Sequence, residues 1–296
     1  MEQGFKILTV IEGGGSTCRG LTYDLMQNRT STPLILDNHP CNLSRDRDLT
    51  LQSLRTMIGK LGATQTKLTP KLILCLPGIS HVENASWLKT RLQTDGHDTV
   101  HLASDAIAAL LGAFETLQDG QGIFIGGTGS MALGYNNGQF WRIGTPESEK
   151  ACGPWIARKA WEAGKHDPEL KRIFAPEEDL TYAPHHVIAA YTPAVFEAAR
   201  QGNQVAEAIL QEAAASAVDH MTRLHDFGVR DFVLCGSVAR ALQTRIAMNT
   251  RAAHGTGLDG ALKLALSVHK NPETLSLFTN LRRIEEDEPE QRISRP

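Results

Sequence analysis

Two glycine-rich turns, Glu12-Gly13-Gly14-Gly15-Ser16-Thr17 and Gly126-Gly127-Thr128-Gly129-Ser130, each stand directly behind a short apolar run, Phe5–Ile11 and Gly122–Ile125. Each is followed by a second strand-like run, Leu21–Met26 after the first and Met131–Tyr135 after the second, so each turn predicts a β-hairpin. The repetition of strand, glycine turn and strand in both halves limits the fold more than any other feature, because it asks for two related α/β units.

The segments between the turns fit that plan. Leu49–Leu61, Ser86–Gln93 and Asp105–Leu117 read as helices, and Lys71–Leu76 and Thr99–Ala103 as strands. Asn136-Asn137-Gly138 is a hairpin turn leading into a strand at Gln139–Ile143. Later helices are expected at Pro154–Ala163, Pro193–Arg200, Asn203–Leu224, from Val238, at Gly260–His269 and at Pro272–Asn280, with a strand at Asp231–Leu234. A boundary within Asp105–Gln118, where a helix passes between halves, gives an N-terminal domain 1–106 and a C-terminal domain 107–281. The charged tail 282–296 has no apolar periodicity and is expected to be mobile.

Composition removes several classes of function. With 296 residues, 41% of them hydrophobic, the chain can bury one large core or two ordinary ones. A net charge of −3 gives no global attraction for nucleic acid or an anionic membrane surface, so neither is expected as a partner. The five cysteines are scattered and odd in number, which speaks for reduced thiols in a cytoplasmic protein rather than a disulfide frame or zinc site. No apolar stretch reaches the length of a membrane span, and the N-terminus lacks the pattern of a signal peptide.

The chemistry concentrates at four places. Gly13, Gly14 and Gly15 let backbone N–H groups approach a phosphate, with Ser16 and Thr17 supplying hydroxyls. A triple glycine between strands is by itself more often a plain turn, and no Gly-Lys-Ser/Thr ending makes it a Walker loop. Gly127, Thr128, Gly129 and Ser130 repeat the same chemistry, and two such loops can hold one triphosphate. Gly236-Ser237-Val238-Ala239, a strand entering a helix through small residues, suits a nucleoside, although such junctions are common in α/β proteins. Asp105 opens an alanine-rich helix, either as a helix-terminal carboxylate or as a base reached by a small acceptor. His185–His186 reads as a surface pair, since adjacent histidines point in different directions.

Taken in this order, these elements resemble the N-acetylglucosamine and glucosamine kinases, members of the wider family named for the activating ATPases of benzoyl-CoA reductase within the actin-like ATPase superfamily. The resemblance runs from about Ile7 to Ala265. It implies an α/β fold of two ribonuclease H-like domains with a nucleotide and sugar cleft between them. It also implies an enzyme that uses ATP and Mg²⁺ to phosphorylate an amino sugar, and it allows a homodimer. By the family pattern Gly13 to Thr17 and Arg19 belong to the first phosphate loop, with Glu12 in place of the usual metal-side Asp. Gly127 to Ser130 form the second loop, Gly236 to Ala239 the nucleoside loop, and Asp105 the catalytic base. Asn42 and Gly78 correspond to sugar-side positions.

Two departures matter. Glu12 is one methylene longer than Asp, and Glu149-Lys150-Ala151 stands where relatives carry Asp-Glu-Gly, so one sugar-side carboxylate becomes an ammonium. These changes motivate an alternative, a catalytically weak or inactive sugar- or nucleotide-binding homologue. A third reading, an activating ATPase for a radical dehydratase, requires cluster-ligating cysteines, and the cysteines here do not occupy those positions.

Overall fold

The computed structural model describes residues 6–15, 17–62, 71–144, 150–174, 180, 183–275 and 281–283, without the side chains of His185, His186, Leu281 and Arg283. Its packing separates two compact units, 1–117 with 253–280, and 118–252 with 281–296. This division departs from the expected single crossing at 106/107, because the segment after residue 252 packs with the N-terminal unit.

In the first unit the strands are β1 (Ile7–Gly13), β2 (Thr17–Asp24), β3 (Arg29–Thr30), β4 (Leu34–Asp37), β5 (Lys71–Cys75) and β6 (Val100–Ala103). The helices are α1 (Arg47–Gly62), α2 (Val82–Thr94) and α3 (Asp105–Ala113). The sheet runs β3-β2-β1-β5-β6 with β4 also on β2; β1 and β2 are antiparallel, while β1, β5 and β6 are parallel. All five residues of β5 are buried, as expected of a parallel strand covered on both faces. Leu54 and Met57 of α1 and Leu88 and Leu92 of α2 pack with Leu72 and Leu74 of β5 in one core. The short strands β3 and β4 were not anticipated, since two and four residues carry too little periodicity to show.

The second unit repeats the plan. It contains β7 (Gln121–Gly126), β8 (Ser130–Asn136), β9 (Gln139–Ile143), α4 (Gly153–Ala163), α5 (Pro168–Lys171), α6 (His185–Ala189), α7 (Thr192–Arg200), α8 (Gln204–His225), β10 (Asp231–Cys235), α9 (Ser237–Ala241) and β11 (Thr250–Arg251). Asn137 and Gly138 both take positive φ, +51° and +72°, the primed hairpin geometry that the Asn-Asn-Gly sequence announces. The sheet order is β11-β10-β7-β8-β9-β12, where β12 (Leu281–Arg283) is parallel to β9. The tail expected to be mobile from Arg282 therefore begins as a paired strand, its Arg282 guanidinium over the Trp141 ring; 284–296 lie outside the described residues.

The helix α10 (Gly257–Lys270) belongs to the first unit and crosses α3 backbone to backbone. A Cβ at Gly112 would run into the Thr256 carbonyl oxygen, and one at Gly260 into that of Ala108. Lys263 Nζ then donates to the carbonyls of Leu111, Phe114 and Glu115 at 3.1, 2.6 and 3.0 Å, satisfying the C-terminal end of α3. Asp105 stands at the other end of that clamped helix.

Candidate functional site

The first unit gathers its charged groups where the parallel strands end. The ladder sets Glu12 beside Cys75 and Cys75 beside Ala103, and two residues past Ala103 the chain reaches Asp105 at the start of α3. Ser104 caps α3, accepting from the Ala106 N–H at 3.2 Å, and its hydroxyl donates to Asp105 Oδ1 at 3.2 Å. Asp105 is half-buried. The helix cap and a reachable carboxylate thus coexist, because the neighbouring Ser104 does the capping.

Glu12 lies opposite Arg19 across the hairpin, and Arg19 Nη1 donates to Glu12 Oε2 at 3.0 Å. The Glu12 side chain is 13% exposed. Burial pushes its carboxyl above the usual range, Arg19 pulls it back, and the negative charge of Asp105 adds to the rise. Cys75 is pushed up by burial and by the same two carboxylates, so three independent chain segments feel one acidic locus. Gly257, the first residue of α10, closes that locus from another side: a Cβ there would lie 3.1 Å from Glu12 Oε1.

The first glycine turn is braced from inside and left open outside. Gly14 N–H donates to the Thr17 carbonyl at 2.9 Å, and the Gly14 carbonyl accepts from Cys41 N–H at 3.0 Å. Gly13 is buried against Cys41 and Leu76, where a Cβ would have no room, whereas Gly14 and Gly15 are partly exposed. Ser16 lies outside the described residues. Buried Cys18 is hydrogen-bonded to buried Cys41 behind the turn, and that bond and burial hold the Cys18 thiol protonated.

The segment after Cys41 brings the two sugar-side candidates together. Leu43 N–H donates to the Pro77 carbonyl at 3.1 Å, and Gly78, at φ +79°, abuts Ser44 so closely that a Cβ would lie 2.6 Å from its backbone nitrogen. Asn42 Oδ1 accepts from Ser44 N–H at 3.0 Å, and Asn84 Nδ2 donates to the Gly78 carbonyl at 2.8 Å. Asn42 and Gly78 therefore occupy one loop cluster, next to the turn that Cys41 braces.

The second unit builds its locus from backbone. Gly127 N–H donates to the Gly129 carbonyl at 2.9 Å, and the Gly127 carbonyl accepts from Gly153 N–H at 2.8 Å. A Cβ at Gly126 would lie 2.9 Å from Ala239 N and 3.1 Å from the Ala151 carbonyl; one at Gly236, where φ is +86°, would strike the Gly126 carbonyl oxygen. The second glycine turn, the Gly236 junction and the entry to α4 thus meet. Val238 and Ala239 are buried in the core, so their share in a nucleoside site would be backbone, whereas Thr128 and Ser237 are exposed. Ser130 is 5% exposed and its hydroxyl has no partner, an orphan at the end of the turn. Burial pushes the neighbouring Cys235 thiol up to about 11.

Lys150 is exposed and 3.8 Å from Glu212 of α8, while Glu149 lies outside the described residues. Sequence reading missed Gly257 and the Ala151–Gly153 backbone, because contacts between backbone segments far apart in the chain leave no local motif. No cluster of three potential metal ligands occurs among the described residues, and none of their helices is long and apolar enough to cross a membrane.

Two units of this topology, each with a glycine hairpin beside parallel strands, make the fold the two-domain ribonuclease H-like fold of the actin-like ATPases. Solved structures share it along nearly their whole length. A provisionally assigned N-acetylglucosamine kinase from Chromobacterium violaceum superposes with a TM-score of 0.73 at 22% identity, covering 88% of this chain and 99% of that one. Another provisionally assigned N-acetylglucosamine kinase, from Porphyromonas gingivalis, gives 0.67 at 12% identity over 90% and 99%. A ROK family glucokinase from Streptomyces griseus, in complex with glucose and AMPPNP, gives 0.59 at 16% identity over 88% and 99%. At these identities the likeness is one of fold. No protein-family model and no curated protein sequence matches the chain.

Proposed function

We propose that the chain is an ATP-dependent sugar kinase, transferring the terminal phosphoryl group of ATP to a hydroxyl of an amino sugar, N-acetylglucosamine or glucosamine, in the cytoplasm. The observation that carries this reading is the placement of Asp105 with Glu12 at the end of the parallel strands, beside an open glycine turn. The likeness in fold to a glucokinase that binds glucose and AMPPNP supports it.

Asp105 takes the proton of the acceptor hydroxyl as that oxygen bonds to the γ-phosphorus, and the bond from phosphorus to the bridging oxygen breaks to release ADP. Gly13, Gly14, Gly15, Ser16, Thr17 and Arg19 serve the phosphates from the first unit. In the second unit Gly127, Thr128, Gly129 and Ser130 form a phosphate loop, and Gly236 to Ala239 a nucleoside loop. Asn42 and Gly78 are the sugar-side residues of the first unit, and Glu149 and Lys150 those of the second.

The residues present fit a magnesium ion. Magnesium is held by one or two carboxylates plus substrate phosphates rather than by a full protein cage, and Glu12 is a buried carboxylate whose charge burial and Asp105 leave undercompensated. When bound, Mg²⁺ supplies charge neutralisation on the polyphosphate. Glu12 would hold it, and Arg19 would keep that carboxylate oriented.

The Arg19–Glu12 ion pair also favours a second reading, a binding protein whose metal-side carboxylate is already engaged and whose turnover is weak. A panel of amino sugars tested for ADP release, beside titration calorimetry with Mg-ATP and the same sugars, separates the two. Sugar-dependent ADP release is expected. Binding without turnover would favour the silent homologue, and neither binding nor turnover would overturn the kinase reading.

A further inference from the structure

We infer that Arg45 is a phosphate ligand of the first glycine turn, directed at the terminal phosphate of the nucleotide; the inference rests on the kinase reading above. Three arginines surround this part of the first unit, and their engagements differ. Arg19 is ion-paired to Glu12 at 3.0 Å, and Arg47 donates from Nε to Asn84 Oδ1 at 2.7 Å. Arg45 makes only a long contact, Nη1 to the Gly15 carbonyl at 3.5 Å, and pairs with no carboxylate among the described residues. Its sequence neighbour Asp46 is occupied, accepting from Leu49 N–H at 2.8 Å at the start of α1.

The backbone that carries Arg45 is pinned on both sides. Cys41 N–H holds the segment to the Gly14 carbonyl, Leu43 N–H holds it to the Pro77 carbonyl, and Arg45 N–H itself donates to the Asn42 carbonyl at 3.1 Å. The guanidinium is therefore delivered to the glycine turn by a fixed loop, not by a freely moving one. A guanidinium whose donors lack strong protein acceptors, placed beside a partly exposed glycine turn, is suited to bidentate phosphate binding.

Charge balance argues the same way. Glu12 and Asp105 both bring a carboxylate to this locus, and Arg19 is held in its pair with Glu12. Arg45 adds a positive charge next to Gly15, which is partly exposed like Gly14, and a polyphosphate approaching the turn would meet it.

Calorimetric titration of the full chain with Mg-AMPPNP, Mg-ADP and AMP tests this, comparing the unaltered protein with Arg45→Ala and Arg45→Lys. Arg45→Ala is expected to weaken AMPPNP about tenfold, ADP much less and AMP not at all, with Arg45→Lys between. The KM for the sugar and the thermal midpoint should stay unchanged, since Arg45 is exposed. Equal losses for all three nucleotides, or no loss for AMPPNP, would overturn the assignment while leaving the kinase reading intact. An unaltered protein that binds no nucleotide and phosphorylates no sugar would remove both.

Discussion

The two glycine turns share a hairpin topology and differ in what surrounds them. In the first unit the turn sits among ionisable side chains, Glu12, Arg19 and Asp105, supplied by β1, β2 and α3. In the second unit the corresponding turn meets other backbone: Gly153 N–H bonds Gly127, and Gly236 and Ala239 press on Gly126. A duplicated scaffold can thus be specialised by what is brought to the turn. One copy gathers ionisable side chains at its turn; the other presses main chain against its turn.

The sharpest way to break this contrast is Asp105→Asn. If the first unit supplies the chemistry, turnover should fall by about 10²- to 10⁴-fold, the usual worth of a general base. Nucleotide affinity should change less than about twofold, because the amide keeps the shape of the side chain and the Ser104 cap remains. Steady-state kinetics and calorimetry on the same preparation check both halves. Unaltered turnover would remove Asp105 from the mechanism.

The second largest effect belongs to the other turn. Gly236→Ala places a Cβ on a residue at φ +86° and drives it against the Gly126 carbonyl, so a loss of roughly 2–3 kcal/mol or more in stability is expected. Gly127→Ala meets no heavy atom within 4 Å and should leave stability within about 0.5 kcal/mol. Chemical denaturation separates the pair. Equal stability of the two variants would mean that the junction is looser than its geometry.

How much of this could be read beforehand follows the range of the interactions. The hairpins, the parallel strand Lys71–Cys75 and the Asp105 helix were legible, because apolar periodicity and glycine punctuation act over a few residues. The boundary was not, since α10 joins the first unit through Gly112 and Gly260, whose contact depends on backbones far apart in sequence. The Glu12–Arg19 pair was present in the motif as spacing, but only the antiparallel register shows that the two face each other. Arg45 carries no motif of its own; its significance depends on which neighbouring arginines are already engaged.

A smaller effect should appear in the pH dependence of stability, from the carboxylate at the first turn. Burial raises the Glu12 carboxyl above its unfolded value of 4.5, so the folded chain keeps that proton to higher pH than the unfolded chain does. Its contribution is fully present below 4.5 and is lost as pH rises through the folded value. Glu12→Gln should flatten that decline in denaturation midpoints and reduce magnesium-dependent turnover. The second turn, Gly127 to Ser130, contains no acid and offers no counterpart. An unchanged slope in Glu12→Gln would mean that the carboxyl is solvated in the folded chain.

The smallest effect is the most specific to the second unit. Ser130 buries a hydroxyl that finds no partner, and such a group costs stability in the free protein. Ser130→Ala should therefore be neutral or stabilising by up to about 1 kcal/mol, the reverse of most buried substitutions. If the hydroxyl is instead held ready for a phosphate oxygen, the same variant should weaken AMPPNP several-fold, a loss of about 1 kcal/mol from one hydrogen bond. A gain in stability accompanied by a loss in affinity is the signature of a polar group kept for a ligand. A gain in stability with unchanged affinity would make Ser130 a mere packing defect, and the second turn would then hold its ligand through backbone N–H groups alone.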